Sequence, residues 1–266
     1  RYYTASMRQT EGEPQVIRQA KALAHVLANL TVHIEPDELT VGGITGKALG
    51  GGVYPEGVGA RVGGELETIA FREPNPFTVT AEQLRELREE IFPYWRGQTR
   101  EDAVAARIPA EVRAAVQGKV FNLNQTDHAQ GHILPDVETW LRLGVKGLRD
   151  KVTAARCRPE VQSPEQQVFY EAALLALQAA QEFMARYAAL ARASLASPPR
   201  SGGARDSLPT HGKHDDGLAS PPRSGGFRDG LPTDPAEDLA RIAATCDWLP
   251  ENPPRDFHEA LQALWF

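Results

Sequence analysis

Along residues 13–30 the apolar side chains Val16, Ala20, Leu23, Val26, Leu27 and Leu30 recur at helical spacings, and Pro14 suits a first helical turn. The pattern predicts an amphipathic helix. Residues 38–43 read instead as a short strand, followed by a glycine-rich loop through Gly46, Gly50, Gly51 and Gly52 to Tyr54, Pro55 and Glu56. Thr80 is placed to cap a helix over 81–92, and Thr99 or Arg100 to open another running towards Gln117. Over 136–152, Val137, Trp140, Leu141, Val145 and Leu148 share one side of a further helix. A longer, alanine-rich helix is expected over 164–193.

The patterning then stops. Residues 195–210 return as residues 218–233 with differences only at Ala204/Phe227 and Ser207/Gly230, so 14 of 16 positions match. Two copies of a unit rich in Pro, Gly and Ser cannot stack a core as solenoid repeats do, so 195–233 is expected to be a disordered insertion. Helical patterning resumes over 234–266, interrupted by Pro250, Pro253 and Pro254, and Asp256 with Glu259 resembles a capping box. The expected division is therefore 1–194, an inserted 195–233, and 234–266 as a continuation of the first part. The first residue is not Met and Phe266 falls within helical patterning, so the chain is expected to be cut at both sides.

With 41% hydrophobic and 24% charged positions, 266 residues can fill a globular core. The net charge of -6 leaves no basic surplus for phosphates, which argues against nucleic acid or an anionic membrane as partner. Cys157 and Cys246, the two cysteines, form no CxxC or Cys/His cluster, so neither a disulfide framework nor a structural zinc site is expected. With no apolar run of membrane-spanning length and no signal-peptide pattern, the expected location is the cytoplasm.

Gly46-Lys47 imitates a phosphate-binding loop, but Val41 stands where that loop needs its first glycine and Ala48 where it needs Ser or Thr. His128 and His132, with Asp127 and Asp136 nearby, have a spacing that on a helix would present two imidazoles to a metal. Gly131 and Pro135 oppose a continuous helix there, and the glutamate of a His-Glu-x-x-His site is missing. On residue chemistry alone His132 is a histidine satisfied by backbone at a helix start, a metal ligand of a hydrolase, or a polar pocket residue.

Several strings taken together resemble the glycyl radical enzymes of the pyruvate formate-lyase type. They are Thr10-Glu11-Gly12-Glu13-Pro14, Asp37-Glu38-Leu39-Thr40-Val41-Gly42, Gly52-Val53-Tyr54-Pro55-Glu56, Gly131-His132-Ile133-Leu134-Pro135-Asp136, and Glu251-Asn252-Pro253-Pro254-Arg255 with Phe257-His258-Glu259-Ala260-Leu261-Gln262. The strings around Tyr54 and His132 are nearer the dehydratase, decarboxylase and carbon–heteroatom lyase branches. The resemblance implies an α/β fold: a mainly helical N-terminal part plus the first strands of an incomplete ten-stranded α/β barrel. It implies that Asn124 and His132 line a substrate cavity, hydrogen-bonding a hydroxyl or carboxylate. It further implies a radical held on a backbone glycine, installed by a partner that uses S-adenosylmethionine and an iron-sulfur cluster, and passed to a cysteine. Both catalytic groups are expected outside this chain, which binds no cofactor directly; the complete enzyme is expected to be a homodimer. The alternatives are a truncated product without catalysis of its own and a metal-dependent hydrolase.

Overall fold

The computed structural model describes residues 1–35, 38–45, 50–73, 76–123, 134–161, 163–196 and 234–266. The described residues are helical or irregular, with no strand among them. In chain order the helices are α1 (Tyr2–Gln9), α2 (Gln15–Asn29), α3 (Pro55–Glu65), α4 (Ala81–Glu86), α5 (Phe92–Trp95), α6 (Arg100–Ala105), α7 (Ala110–Gln117), α8 (Val137–Arg156), α9 (Pro164–Ala196), α10 (Pro235–Trp248) and α11 (Phe257–Trp265).

Helix α9 is the spine. Its 33 residues extend about 50 Å at 1.5 Å per residue, and α2, α8 and α10 all pack along it. Small residues permit this crowding: Ala172, Ala179, Ala188 and Ala191 are buried, so neighbouring backbones approach closely. Phe183, Tyr187, Ala188 and Ala191 meet Ile242, Ala243 and Cys246 of α10, together with Val41. Met184 meets Val145 of α8, Leu249 and Ala263 of α11, while Ala172 meets Ile17 and Ala20 of α2. Arg186 also holds α2 in place, donating to the Leu27 carbonyl and, at 2.5 Å, to the Leu30 carbonyl. Those are acceptors that the end of α2 leaves without helical partners.

A second core lies against the middle of α2, where Met7, Ala22, Ile91 and Trp95 are buried together. The Trp95 indole N–H donates to Thr4 Oγ1 at 2.9 Å, and Tyr3 stacks on its ring at 5.9 Å. The expected helix after Thr80 forms with its capping box: Thr80 Oγ1 accepts from the Gln83 amide, and Gln83 Oε1 accepts from the Thr80 amide. It runs on to Trp95, past the expected end, through a π-helical turn over Leu87–Ile91. Pro93 supplies the cause, because a proline within a helix removes one amide donor and crowds the preceding turn, and a wider turn relieves both.

Three expectations are corrected. Residues 38–43 do not form a strand. The Val41 amide and carbonyl pair with the Gln262 side chain at 2.7 and 2.6 Å, so one glutamine takes the place of a neighbouring strand. The helix expected from Thr99 to Gln117 is divided, since Pro109 cannot continue α6 and instead precedes the first residue of α7. Pro55 and Glu56, read as loop, open α3, with Pro55 at a first-turn position that tolerates its missing amide.

Burial exposes one flaw in the larger core. Tyr187 is fully buried, burial pushes its phenol up to about 12, and its hydroxyl has no partner among the described residues. An unpaired buried hydroxyl costs about 1–3 kcal/mol, so Tyr187→Phe is expected to leave stability unchanged or raise it by about 1 kcal/mol. Urea denaturation checks this; a clear loss of stability would reveal a bound partner for that hydroxyl.

Candidate functional site

Asn124 and His132, and with them His128 and Gly131, lie outside the described residues. The structure describes both flanks of that stretch. On the entry side α7 ends with the Val120 amide donating to the Ala115 carbonyl at 2.9 Å and the Lys119 amide to the Val116 carbonyl at 3.0 Å. This is a Schellman closure, in which the residue with positive φ is usually glycine; here it is Lys119, at φ 57°. Lys119→Gly removes the cost of a side chain in that conformation and is expected to raise stability by about 1 kcal/mol, measurable as a higher urea midpoint. Beyond Lys119 the chain presents Val120, Phe121 and Leu123 to solvent.

On the exit side Leu134 is 86% exposed, and Asp136 caps α8 by accepting from the Thr139 amide at 3.0 Å. Bonding to Thr139 holds the Asp136 carboxyl below the usual carboxylate range. The positive end of α8 is therefore occupied by the chain's own carboxylate and is not an open anion site. Trp140 ties the first turns of α8 to α11 through an indole bond to the Ala263 carbonyl at 2.9 Å. At Gly144 the backbone leaves helical geometry, with φ 65° and ψ 178°. An added Cβ there would stand 2.8 Å from the Asn252 carbonyl oxygen. Parts of the strings singled out in the sequence thus meet in two pairs. The Asp136 helix lies on the Asn252-Pro253 segment, and Val41-Gly42 is held by Gln262 and by the Trp265 indole, which donates to the Gly42 carbonyl at 2.8 Å.

The Tyr54-Pro55-Glu56 string brings a second polar group inward. Burial raises the Glu56 carboxyl, opposed by its own backbone amide and the Arg100 guanidinium, while burial and then the Glu56 charge raise the Tyr3 phenol. Sequence reasoning placed Glu56 in a loop and gave it no role; the available signal was Pro55, which marks a helix start.

Neither cysteine fits hydrogen abstraction from a substrate. Cys246 is enclosed in the core with its thiol pushed up to about 12 by burial, and Cys157 sits exposed at the end of α8. Neither follows a glycine. One more expectation is corrected: the Arg-Val-x-Gly order that the resemblance associates with a radical glycine, expected to be absent from this chain, is spelled by Arg61-Val62-Gly63-Gly64. It falls inside α3, and an added Cβ at Gly64 would meet nothing within 4 Å, so that glycine stands open to solvent rather than shielded. Among the described residues no group of three or more His, Cys, Asp or Glu side chains is placed to hold a metal. No described helix is long and apolar enough to cross a membrane.

The sequence model of the "pyruvate formate lyase-like" family matches residues 1–202 and 233–266, which is most of the chain. The chain is 32% identical over its whole length to the isethionate sulfite-lyase of Nitratidesulfovibrio vulgaris, of which it covers 30%. It is 28% identical to a probable dehydratase of Escherichia coli, covering 100% of this chain and 29% of that protein. Its structure is similar to that of a glycyl radical enzyme from Archaeoglobus fulgidus, with a TM-score of 0.79 at 31% identity over 99% of this chain and 30% of that one. The family match over most of the chain, with that structural likeness, defines the class: the chain belongs to the pyruvate formate lyase-like family. It spans about 30% of the length of the curated relatives it matches.

Proposed function

We propose that this chain is the front portion of a glycyl radical lyase that dehydrates, decarboxylates or cleaves a carbon–heteroatom bond in a small organic substrate, or cleaves a carbon–carbon bond in the manner of a formate acetyltransferase. The observation that carries the reading is the family match on both sides of residues 203–232, together with relatives named as a sulfite-lyase and a dehydratase. Asn124 and His132 would orient the substrate through hydrogen bonds to its hydroxyl or carboxylate. The described flanks support that role: α8 is capped, tied to α11 and seated on Asn252-Pro253, so the stretch before it ends on a fixed support.

In this reading the helical body covers one side of a ten-stranded barrel, with 1–194 and 234–266 forming one domain around an inserted 195–233. The complete enzyme works as a cytoplasmic homodimer. A radical S-adenosylmethionine enzyme with an iron-sulfur cluster installs a glycyl radical, which supplies hydrogen-atom abstraction. The burial of Cys246 and the exposure of Cys157 leave neither cysteine of this chain fitted to receive that radical, so its contribution is binding, orientation and exclusion of water.

The test uses the complete, anaerobically activated enzyme. His132→Ala and Asn124→Ala are each expected to lower kcat/KM by about 10–100-fold, the value of a hydrogen bond to a charged group, while the glycyl radical signal persists. Unchanged kcat/KM in both variants would remove these residues from the substrate site. An enzyme that turns over nothing and forms no radical would favour a product without catalysis of its own.

A further inference from the structure

Helix α3 packs against α5 and α6, and between them lies a cleft of about 320 Å³. That volume is at the lower end of the range of small-molecule sites. Its apolar lining comes from Leu66, Phe92, Pro93 and Trp95. The π-helical turn sets Phe92 and Pro93 on the same side as Arg88, which it carries itself. Trp95 is fixed from three directions: its N–H is bonded to Thr4, Tyr3 stacks on it, and Tyr94 meets it edge-on at 5.2 Å. The apolar wall is therefore rigid before any ligand arrives, which lowers the entropic cost of binding.

The charges at the cleft are unequally engaged. Arg88 pairs with Glu67. Asp102 is turned to its own backbone: Oδ2 accepts from the Thr99 amide at 3.1 Å and from Thr99 Oγ1 at 2.7 Å, and bonding to Thr99 holds its carboxyl below the usual range. Arg96 also lines the cleft, and no described residue pairs with its guanidinium. An unopposed guanidinium beside an aromatic wall fits a planar carboxylate joined to an apolar ring or chain.

We infer that this cleft binds a small monocarboxylate with an apolar body, the body against Phe92 and Trp95 and the carboxylate on Arg96. The proposal rests on this cleft alone and is independent of the reading of Asn124 and His132.

Benzoate is the probe, with benzyl alcohol as its neutral and benzylamine as its cationic counterpart. The complete product of the reading frame, 15N-labelled at its tryptophan indoles, is titrated with each, following the Trp95 indole N–H, assigned by its loss in Trp95→Phe. Benzoate is expected to shift that signal saturably, with benzyl alcohol at least about tenfold weaker and benzylamine inert. Arg96→Gln should weaken benzoate about tenfold, one charge-assisted bond's worth, and leave benzyl alcohol unchanged. Gly63→Leu blocks the cleft: an added Cβ would meet the Phe92 ring only at 3.6 Å, an ordinary contact, and leucine favours the helix over glycine. That variant should keep its helical circular dichroism and lose the benzoate shift. Equal affinity for benzyl alcohol, an unaffected Arg96→Gln, or a benzoate shift surviving in folded Gly63→Leu would each overturn the proposal. Should Gly63→Leu not fold, the first two comparisons decide it.

Discussion

Gln262→Leu is expected to destabilise the chain by about 3 kcal/mol or more, although leucine matches glutamine in size. Gln262 is 1% exposed, and its side-chain amide donates to the Val41 carbonyl while its oxygen accepts from the Val41 amide. Val41 is itself fully buried, so leucine leaves two main-chain polar groups away from water without partners, at about 1–3 kcal/mol each. Trp265→Phe provides the contrast. It removes one bond, to the Gly42 carbonyl, from a residue 64% exposed, where water replaces the lost donor, and about 0.5–1 kcal/mol is expected. Urea unfolding gives the energies. Amide hydrogen exchange at Val41 shows whether residues 38–45 have come away from α11. A loss below about 1 kcal/mol with Val41 still protected would mean that something other than Gln262 satisfies that backbone.

The other large effect is expected at Gly144. Alanine there would have to hold φ at 65° and place its Cβ 2.8–2.9 Å from Asn252 O, Asn252 C and Pro253 N. All three are backbone atoms, which cannot rotate aside as a side chain can. Strained backbone costs about 1–3 kcal/mol and forced overpacking about as much again, so Gly144→Ala is expected to cost about 3–4 kcal/mol. Gly64→Ala, in the last turns of α3 with open space around it, is expected to stabilise by about 0.5–1 kcal/mol. Thermal unfolding compares the two. Similar Tm values would mean that α8 does not rest on residues 252–253 as closely as the geometry requires.

These two positions also show where sequence reasoning ends. The helices α2 and α8 were legible because each writes its packing into a local repeat, one face apolar and the other polar, with Pro14 and Asp136 at their starts, and α9 because its alanine-rich run favours a helix throughout. The cap at Thr80 was legible because threonine before a helical run is a local signal, and the structure adds the reciprocal bond from Gln83. Residues 38–43 were read as a strand because alternation and a flanking glycine pair look alike whether the partner is a strand or a glutamine 221 positions away. Helix α3 was missed because Gly57, Gly59, Gly63 and Gly64 argue against a helix, and only its packing on α5 and α6 compensates. At Asp256 half of the expected capping box forms. Asp256 accepts from the Glu259 amide at 2.9 Å, but Glu259 turns to Arg255, taking its backbone amide at 2.7 Å as well as its guanidinium.

For the candidate site, motif strings gave the family because their joint order is improbable by chance, and the matched family and structures agree with that reading. What the strings do for one another was not legible. Gly144 carries no mark of the Asn252 backbone against it, and Gly42 none of the Trp265 ring 3.0 Å from where a Cβ would stand. The cleft beside Arg96 was invisible for a related reason. Its lining comes from three helices, and the absence of a partner for a surface arginine among the described residues is a property of space, not of sequence.

The central claim is that this chain holds a substrate for a radical made on another part of the protein. Electron paramagnetic resonance after anaerobic incubation with a radical S-adenosylmethionine activating enzyme tests it most directly, comparing the 266-residue chain with the product of its complete reading frame. The expected result is a glycyl doublet on the complete product and none on the 266-residue chain. A doublet on the 266-residue chain, or none on the complete product, would contradict the account.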